Sequence, residues 1–249
     1  MYASDPLAPS LHAHLWQSCP DRPVLYFSPK SLQENYRRFA SGFDGLVTYV
    51  VKANASCLVL DNLALAGLTT FDVASPVEMQ TVRAAVPNAV LHYHNPVRSP
   101  IEIAAAKRFG IRSWSVDSRE ELDKLSGLPS GAEIAVRLYV PVAGAAYDFG
   151  LKFGAGPAQA AALLRCVKQR GLTPSLTFHP GTQCTDPAAW VQYIDVAYEV
   201  SQRAETALKR LNVGGGFTVW RERQAPDLER VFDRISDQTI ALFGAKSPA

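Results

Sequence analysis

The chain has 249 residues, of which 47% are hydrophobic and 19% are charged, and its formal net charge at pH 7 is +2. This composition is typical of a folded globular protein, and the length suffices for one large α/β domain or two small ones. The net charge is too small for a protein that binds nucleic acid mainly by neutralising phosphates, so we exclude nucleic acid as a partner.

The cysteines and the N-terminus predict a cytoplasmic protein. No C-x-x-C pair occurs, so the cysteines indicate neither a zinc site nor a disulfide scaffold, and free thiols suit a reducing cytosol. The first 20 residues lack the cationic start and apolar stretch of a signal peptide. No run approaches the roughly 18 apolar residues of a membrane span. The four cysteines are Cys19, Cys57, Cys166 and Cys184.

Residues 1–30 are interpreted as an N-terminal lead-in and edge segment, of which residues 1–22 are predicted to be irregular or lightly helical. Val24–Ser28 has a proline on each side, which predicts a short extended segment at the edge of a sheet. Ser31 is expected to cap a helix that continues to Ala40. We interpret residues 31–249 as one domain.

From Leu46 onward a short apolar strand is repeatedly followed by a polar or glycine-containing turn and then by a helix. Such alternation predicts a parallel sheet wrapped by helices. The predicted strands are Leu46–Val51, Thr70–Val73, Val90–Tyr93, Ser113–Val116, Ile134–Val140, Ser175–Phe178 and Leu211–Val213. The helices after them are expected to start near Cys57, Pro76, Ser99, Arg119, Gly156, Asp186 and Pro226, with serine caps at Ser75, Ser99 and Ser118.

Seven such units favour a (β/α) barrel over an open sheet, although the spacing alone is compatible with both. A barrel of eight strands closes on itself, whereas seven units leave the first and last strands with unpaired edges. We therefore predict an α/β fold of the (β/α)8 TIM-barrel type that is incomplete, with the eighth strand missing.

Polar residues follow these strands, and in either architecture the carboxyl ends of the strands gather at one side, where a site forms. The first of them is Lys52, which ends the apolar run Leu46–Val51. An amine on a rigid strand suits a Schiff-base lysine, because a partly desolvated ammonium loses its proton more readily. The alternative is an ordinary surface lysine.

Three consecutive glycines, Gly214–Gly216, follow the last predicted strand. Their backbone N–H groups can approach an anion closely, and barrels often bind phosphate at this position. Thr182 and Gly181 could add a hydroxyl and a second close approach. The alternative is a flexible turn.

Histidines and an ion pair complete the candidates. His179 ends its strand, where an imidazole can stack on a flat ring or exchange protons, or can be merely structural. Asp72 and Arg137 are expected near Lys52, where they either tune the amine or form a structural ion pair. His92 and His94 alternate on one strand face without a third metal ligand, and no metal site is predicted.

The order of these motifs resembles the fold-type III, PLP-dependent amino-acid decarboxylases, which include ornithine, diaminopimelate and arginine decarboxylases and share an alanine-racemase-like barrel. Residues 90–125 and 145–220 favour the ornithine-decarboxylase-like branch. The motifs are Tyr49-Val50-Val51-Lys52-Ala53-Asn54, Phe71-Asp72-Val73-Ala74-Ser75, His94-Asn95-Pro96, Val116-Asp117-Ser118, Lys152-Phe153-Gly154, Phe178-His179-Pro180-Gly181-Thr182 and Gly214-Gly215-Gly216-Phe217.

The resemblance implies that Lys52 forms a Schiff base with pyridoxal 5'-phosphate (PLP) and that His179 stacks on its ring. It places the phosphate on Thr182, Gly214, Gly215 and Gly216, and it assigns Asp72 and Arg137 to the surroundings of Lys52. The reaction would be decarboxylation of a basic amino acid, in which the cofactor ring stores the electrons that carbon dioxide leaves behind.

The sequence departs from the family in several places. It ends before the Glu-Pro-Gly-Arg motif of the eighth strand, and it lacks the C-terminal β-domain whose Cys-Asp segment completes the site across a dimer. Pro180 and Thr182 also replace the usual small aliphatic residue and serine. We therefore expect that a homodimer or a complementing C-terminal fragment is needed for activity.

Two further interpretations remain open. One is a non-catalytic, decarboxylase-like barrel that binds PLP or a partner subunit through its unpaired strand edges. The other is a single-barrel PLP carrier, which fits the length but not the His179 and triple-glycine motifs.

Overall fold

The protein is represented by a computed structural model that describes residues 11–142, 152–219 and 227–244, together with Pro248. None of the helices within these ranges is both long and apolar enough to span a bilayer. The helices are α1 Leu11–Ser18, α2 Pro29–Gly42, α3 Cys57–Leu65, α4 Pro76–Ala85, α5 Pro100–Arg108, α6 Arg119–Lys124, α7 Pro157–Gln169, α8 Ala188–Arg203 and α9 Leu228–Phe243. The strands are β1 Tyr49–Val50, β2 Thr70–Asp72, β3 Val90–Tyr93, β4 Ser113–Val116, β5 Glu133–Arg137, β6 Thr173–Thr177 and β7 Leu211–Asn212.

The seven strands form one parallel sheet in the order β1 to β7, so each strand pairs with its neighbours in sequence. Helices connect the strands, as the predicted alternation requires. The sheet curls into a partial barrel, which confirms the incomplete barrel of seven units. Within the described ranges, β7 does not pair with β1, and no further strand lies between them to close the barrel.

Helices α2 and α9 contact each other outside this open side of the sheet. Arg38 forms an ion pair with Glu229. The rings of Phe39 and Phe232 lie 5.1 Å apart, centroid to centroid, in an edge-on arrangement. The first helix of the barrel therefore packs against its last helix, although the strands inside them do not meet.

The core consists of the apolar residues of the strands and the inward faces of the helices, which bury their non-polar surface together. Its largest fully buried side chains include Phe71, Tyr93, Trp114, Phe178, Trp190 and Tyr193. Several polar side chains on the strands are also buried, namely those of His92, Ser113, Ser115 and Ser175. Such groups need partners, and some of these partners lie in the site described below.

The predicted caps at Ser75, Ser99 and Ser118 are confirmed, because each hydroxyl accepts a hydrogen bond from the backbone N–H three residues later. At Ser99 the Glu102 carboxylate also accepts a bond from the Ser99 N–H, which completes a capping box. Local cap chemistry therefore determines where these helices begin.

The predicted start of α2 is wrong. The helix begins at Pro29, with Ser28 as its cap, because the fixed φ of proline suits the first helical position and the Ser28 hydroxyl accepts from the Ser31 N–H. It ends at Gly42 instead of Ala40. The segment Val24–Ser28 is not a strand, and its apolar side chains are exposed.

Strands β3 and β4 have their predicted bounds, whereas the other five strands differ from prediction. Strand β1 begins at Tyr49 instead of Leu46, β2 ends at Asp72 instead of Val73, β5 begins at Glu133 instead of Ile134, β6 spans Thr173–Thr177 instead of Ser175–Phe178, and β7 ends at Asn212 instead of Val213. The first strand stops at Val50 because Val51–Ala53 form a 3₁₀ turn, and the fifth ends at Arg137. Pro226, the predicted start of the last helix, lies outside the described residues; α9 begins at Leu228, with the Asp227 carboxylate accepting from the Arg230 N–H.

Candidate active site

The carboxyl ends of the strands open into a cavity of about 860 Å³, which lies in the size range of small-molecule sites. The cavity continues into the gap between β1 and β7, where the apolar side of α9 also lines it. Six of the eight site residues predicted from the sequence line this cavity, whereas Thr182 and Gly216 do not. The six are Lys52, Asp72, Arg137, His179, Gly214 and Gly215.

Lys52 lies in the 3₁₀ turn Val51–Ala53, directly after β1. The preceding Val51 is fully buried, so the backbone of the turn is anchored while the lysine side chain projects into the cavity mouth. Lys52 itself is exposed, which differs from the partly desolvated ammonium that we expected.

The glycine loop packs directly on the backbone that follows β6. Gly214 has φ +71°, and a Cβ built on it would lie 2.1 Å from the Phe178 carbonyl oxygen. Gly216 has φ +84°, and its Cβ would lie 2.1 Å from the Gly181 carbonyl oxygen. Both positions therefore require glycine. The loop is not the flexible turn of the alternative interpretation, because backbone contacts hold it on both sides.

Gly215 also lines the cavity, and its φ, unlike those of Gly214 and Gly216, lies outside the left-handed region. A Cβ on Gly215 would lie 3.1 Å from His179 Nε2, so a side chain would fill space beside the imidazole. The Gly214 N–H donates to Asn212 Oδ1 at 2.8 Å. The backbone after β7 and the imidazole after β6 thus form a narrow cradle at the cavity mouth.

His179 is held as a neutral imidazole. Its Nδ1 accepts a hydrogen bond from the Gly181 N–H at 3.1 Å, which leaves the ring proton on Nε2. Burial, followed by the positive charges of Arg137 and Lys52, lowers the pKa of His179 from 6.5 to about 4. The structure therefore brings Lys52, Arg137 and His179 into one electrostatic environment, with the imidazole uncharged near neutral pH.

Arg137 ends β5 and extends over an aromatic ring. Its guanidinium carbon lies 5.1 Å from the centroid of the Phe153 ring. Burial lowers the pKa of Arg137, while the carboxylate of Asp117 acts in the opposite direction. Asp117 also accepts a hydrogen bond from the Gly154 N–H at 3.0 Å, which attaches the segment that carries Phe153 to the end of β4.

Asp72 does not contact Lys52 or Arg137 in any hydrogen bond or ion pair of the described residues. Its nearest ionisable partner is His94, whose Nδ1 lies 3.1 Å from Asp72 Oδ2. The His94 N–H also donates to Asp72 Oδ1 at 3.4 Å. Asp72 therefore shares the cavity with Lys52 but is oriented by the neighbouring strand β3.

His94 and Asn212 were not among the predicted site residues. Both line the cavity, and their side chains lie 3.0 Å apart, from Asn212 Nδ2 to His94 Nδ1. The rings of His92 and His94 both contact the Ser113 hydroxyl, at 2.7 and 2.8 Å. Among the described residues, no group of three histidine, cysteine or carboxylate side chains is arranged to hold a metal ion. The available signal was a polar residue at the carboxyl end of an apolar strand, since such a residue needs a partner when it is buried.

Residues 30–247 match the family model for the pyridoxal binding domain of the pyridoxal-dependent decarboxylases. The chain is 32% identical over 228 residues to a lysine/ornithine decarboxylase of Selenomonas ruminantium, covering 89% of this chain and 58% of the relative. It is 31% identical over 174 residues to the ornithine decarboxylase of Mus musculus, covering 68% of this chain and 38% of the relative.

Solved structures agree with these matches. The lysine/ornithine decarboxylase of Vibrio vulnificus, complexed with cadaverine, has a TM-score of 0.81 and 25% identity, covering 95% of this chain and 63% of that one. The lysine decarboxylase of Selenomonas ruminantium has a TM-score of 0.82 and 28% identity, covering 96% and 65% respectively. The chain thus spans less than two thirds of the length of these relatives.

The residues at the cavity mouth fit the cofactor of this family. They supply an amine at Lys52, a neutral imidazole at His179 and a backbone cradle at Gly215 that a side chain would fill. The family match extends over most of the chain, including every one of these residues. The chain therefore belongs to the pyridoxal-dependent decarboxylases, in the ornithine-decarboxylase-like group, and its cofactor is PLP.

Proposed function

We propose that this chain binds PLP at the mouth of its barrel and takes part in the decarboxylation of a basic amino acid such as ornithine or lysine. The observation that carries the proposal is the convergence of Lys52, His179 and the glycine loop on one cavity. Solved relatives described as lysine/ornithine decarboxylases contain cadaverine or putrescine, which supports a basic substrate. Family membership does not favour the non-catalytic alternative.

In this proposal Lys52 would supply the amine that holds the cofactor through its aldehyde, with release of water. His179, uncharged and with its proton on Nε2, presents a flat ring on which a pyridine ring can stack. The phosphate would lie on the Gly214–Gly216 loop at Gly215, which lines the cavity, while the Gly214 N–H stays bonded to Asn212. Gly216 and the Thr182 hydroxyl, which lie outside the cavity wall, are proposed as further phosphate contacts. When bound, PLP supplies an electron sink for the bond that breaks at the substrate.

Arg137 and Asp72 would tune this environment from opposite sides. The partly buried Arg137 guanidinium adds positive potential near Lys52 and His179, which favours an anionic ligand. Asp72, on strand β2 next to β1, lines the cavity with a polar side chain.

We further propose that the open side of the cavity, between β1 and β7, is completed by additional polypeptide, either from a homodimer partner or from a complementing C-terminal fragment. The observation in support is the length of the matched relatives, which exceeds that of this chain. Residues 31–249 would then form the PLP-binding domain and residues 1–30 its lead-in.

The test is a PLP titration that follows the visible absorption band of a Schiff base, with reduction by borohydride and peptide mapping of the labelled lysine. Wild-type protein should give the band, and Lys52→Ala should abolish it. Lys152 is the matched control, because it also lines the cavity. A band that persists in Lys52→Ala and disappears in Lys152→Ala would overturn the assignment.

A further inference from the structure

A chain of polar contacts crosses the barrel mouth and has His94 at its centre. The His94 side chain is only 11% exposed. Its Nδ1 faces Asp72 Oδ2 at 3.1 Å and Asn212 Nδ2 at 3.0 Å, and its Nε2 lies 2.8 Å from Ser113 Oγ. One imidazole therefore connects strands β2, β4 and β7.

The amide of Asn212 has a defined orientation. Its Oδ1 accepts from the Gly214 N–H at 2.8 Å, so its NH₂ group faces His94 Nδ1. The Asn212 amide donates to His94 Nδ1, the His94 Nε2–H donates to Ser113, and Ser113 donates to His92 Nδ1 at 2.7 Å. Each of these three bonds pairs a donor with an acceptor. The contact between Asp72 Oδ2 and His94 Nδ1 is not a hydrogen bond in this arrangement, because both atoms are acceptors; Asp72 is attached to His94 through Oδ1, which accepts from the His94 backbone N–H at 3.4 Å.

The position of this connection matters because the sheet is open. Strand β7 has no hydrogen bonds to β1 within the described ranges, so ladder bonds link the two edges only through the five strands between them. A second path is much shorter and uses both backbone and side chains. Lys52 lies two residues after Val50, which is in register with Asp72 on the neighbouring strand. Asp72 accepts from the His94 N–H, and the His94 ring accepts from Asn212.

We propose that His94 is a positioning residue that fixes the distance between Lys52 and the Gly214–Gly216 loop. This inference rests on the proposed function, since PLP is a ligand that must reach both groups, with its aldehyde at one and its phosphate at the other. A ligand held at two points gains affinity only when the two points have the correct separation.

The experiment compares a ligand that reaches both groups with ligands that reach one. His94→Ala is expected to weaken PLP binding about tenfold or more, as is common when a residue behind the contact residues is lost. Pyridoxal lacks the phosphate and pyridoxine 5'-phosphate lacks the aldehyde, so each of them reaches only one of the two groups. Their binding affinities should fall by less than about threefold, because a ligand held at one point does not depend on the separation of the two points. Equal losses for all three ligands, or no loss for PLP, would overturn the proposal.

Two conservative variants separate the two ring nitrogens. His94→Asn places its amide where Nδ1 lies and keeps the link to Asn212, so it should retain most of the PLP affinity. His94→Gln places its amide near the position of Nε2 and should behave like His94→Ala. Ser113→Ala removes only the Nε2 contact and should bind PLP like the wild-type protein. If His94→Ala fails to fold, the Asn and Gln variants decide.

A measurement without PLP distinguishes failure of the positioning role of His94 from failure of the proposed function. Amide hydrogen exchange at Gly214 should accelerate in His94→Ala, because Asn212 loses its restraint, and should stay unchanged in Ser113→Ala. If wild-type protein binds no PLP, the proposed function fails while this exchange result still shows whether His94 restrains the loop. Unchanged exchange at Gly214 would refute the positioning role.

Discussion

At the scale of single residues, His92 and His179 both line the cavity and are held in their neutral form. Burial is the main cause that lowers the pKa of His92 to about 3 and that of His179 to about 4, both from 6.5. The Nε2 atom of His92 has no hydrogen-bond partner among the described residues. A proton on either ring would add a charge where solvation is poor.

This predicts a loss of stability in mild acid. As the pH falls from 6.5 towards 4, the unfolded chain takes up protons that the folded protein does not, so the free energy of unfolding should fall. Each pKa unit corresponds to about 1.4 kcal/mol before solvent screening is considered. Urea denaturation at several pH values measures this, and His92→Asn should make the decline shallower. A decline identical to that of the wild-type protein would contradict the assignment to His92.

At the scale of structural elements, the loop after β7 illustrates how one glycine run serves two purposes. Gly214 and Gly216 are required by positive φ and by backbone contact with the loop after β6. A side chain on Gly215 would fill the cradle beside His179. The same loop is thus structural at two positions and suited to ligand binding at the one between them.

Alanine substitutions in this loop should therefore separate stability from binding. Gly215→Ala is expected to fold with nearly normal stability and to bind PLP more weakly. Gly214→Ala should destabilise the protein by about 2 kcal/mol or more, because it combines a strained φ with a backbone clash. Gly67→Ala is the matched control, since Gly67 has φ +105° with no atom within 4 Å.

Thermal unfolding and PLP titration of the three variants check this prediction. Gly67→Ala should lose less stability than Gly214→Ala, because it carries the strain without the clash. If Gly215→Ala binds PLP as tightly as the wild-type protein, the cradle is not the phosphate site.

At the scale of the whole molecule, the helices close a ring that the sheet leaves open. Phe232 of α9 is 2% exposed. Its ring contacts those of Phe39 on α2, of Phe43 directly after α2 and of Phe217 after β7. This aromatic cluster is a direct link between the two ends of the barrel, and its rings line the cavity on that side.

Phe232→Ala is expected to destabilise the protein by about 3–5 kcal/mol, because it removes a buried ring and leaves a cavity. Ile240→Ala is a suitable control on the same helix, since Ile240 is 57% exposed. Urea unfolding of both variants measures the difference. Similar values for the two would show that α9 contributes little to closing the ring.

The sequence by itself determined the alternation of strands and helices, the seven-unit count, the serine caps and the placement of Lys52, Asp72, Arg137 and His179 on one cavity. The physical reason is that strand periodicity, cap hydrogen bonds and the common direction of parallel strands are local or topological properties. Family motifs added the cofactor, because their order along the chain is specific.

Only the tertiary structure decided which of these side chains contact one another. Asp72 pairs with His94 instead of Lys52, and the partner of His94 lies 118 residues away at Asn212. Periodicity carries no information on such pairs, because the curl of the sheet brings β7 across from β3. For the same reason, the need for glycine at Gly214 and Gly216 became clear only once the neighbouring loop was in place.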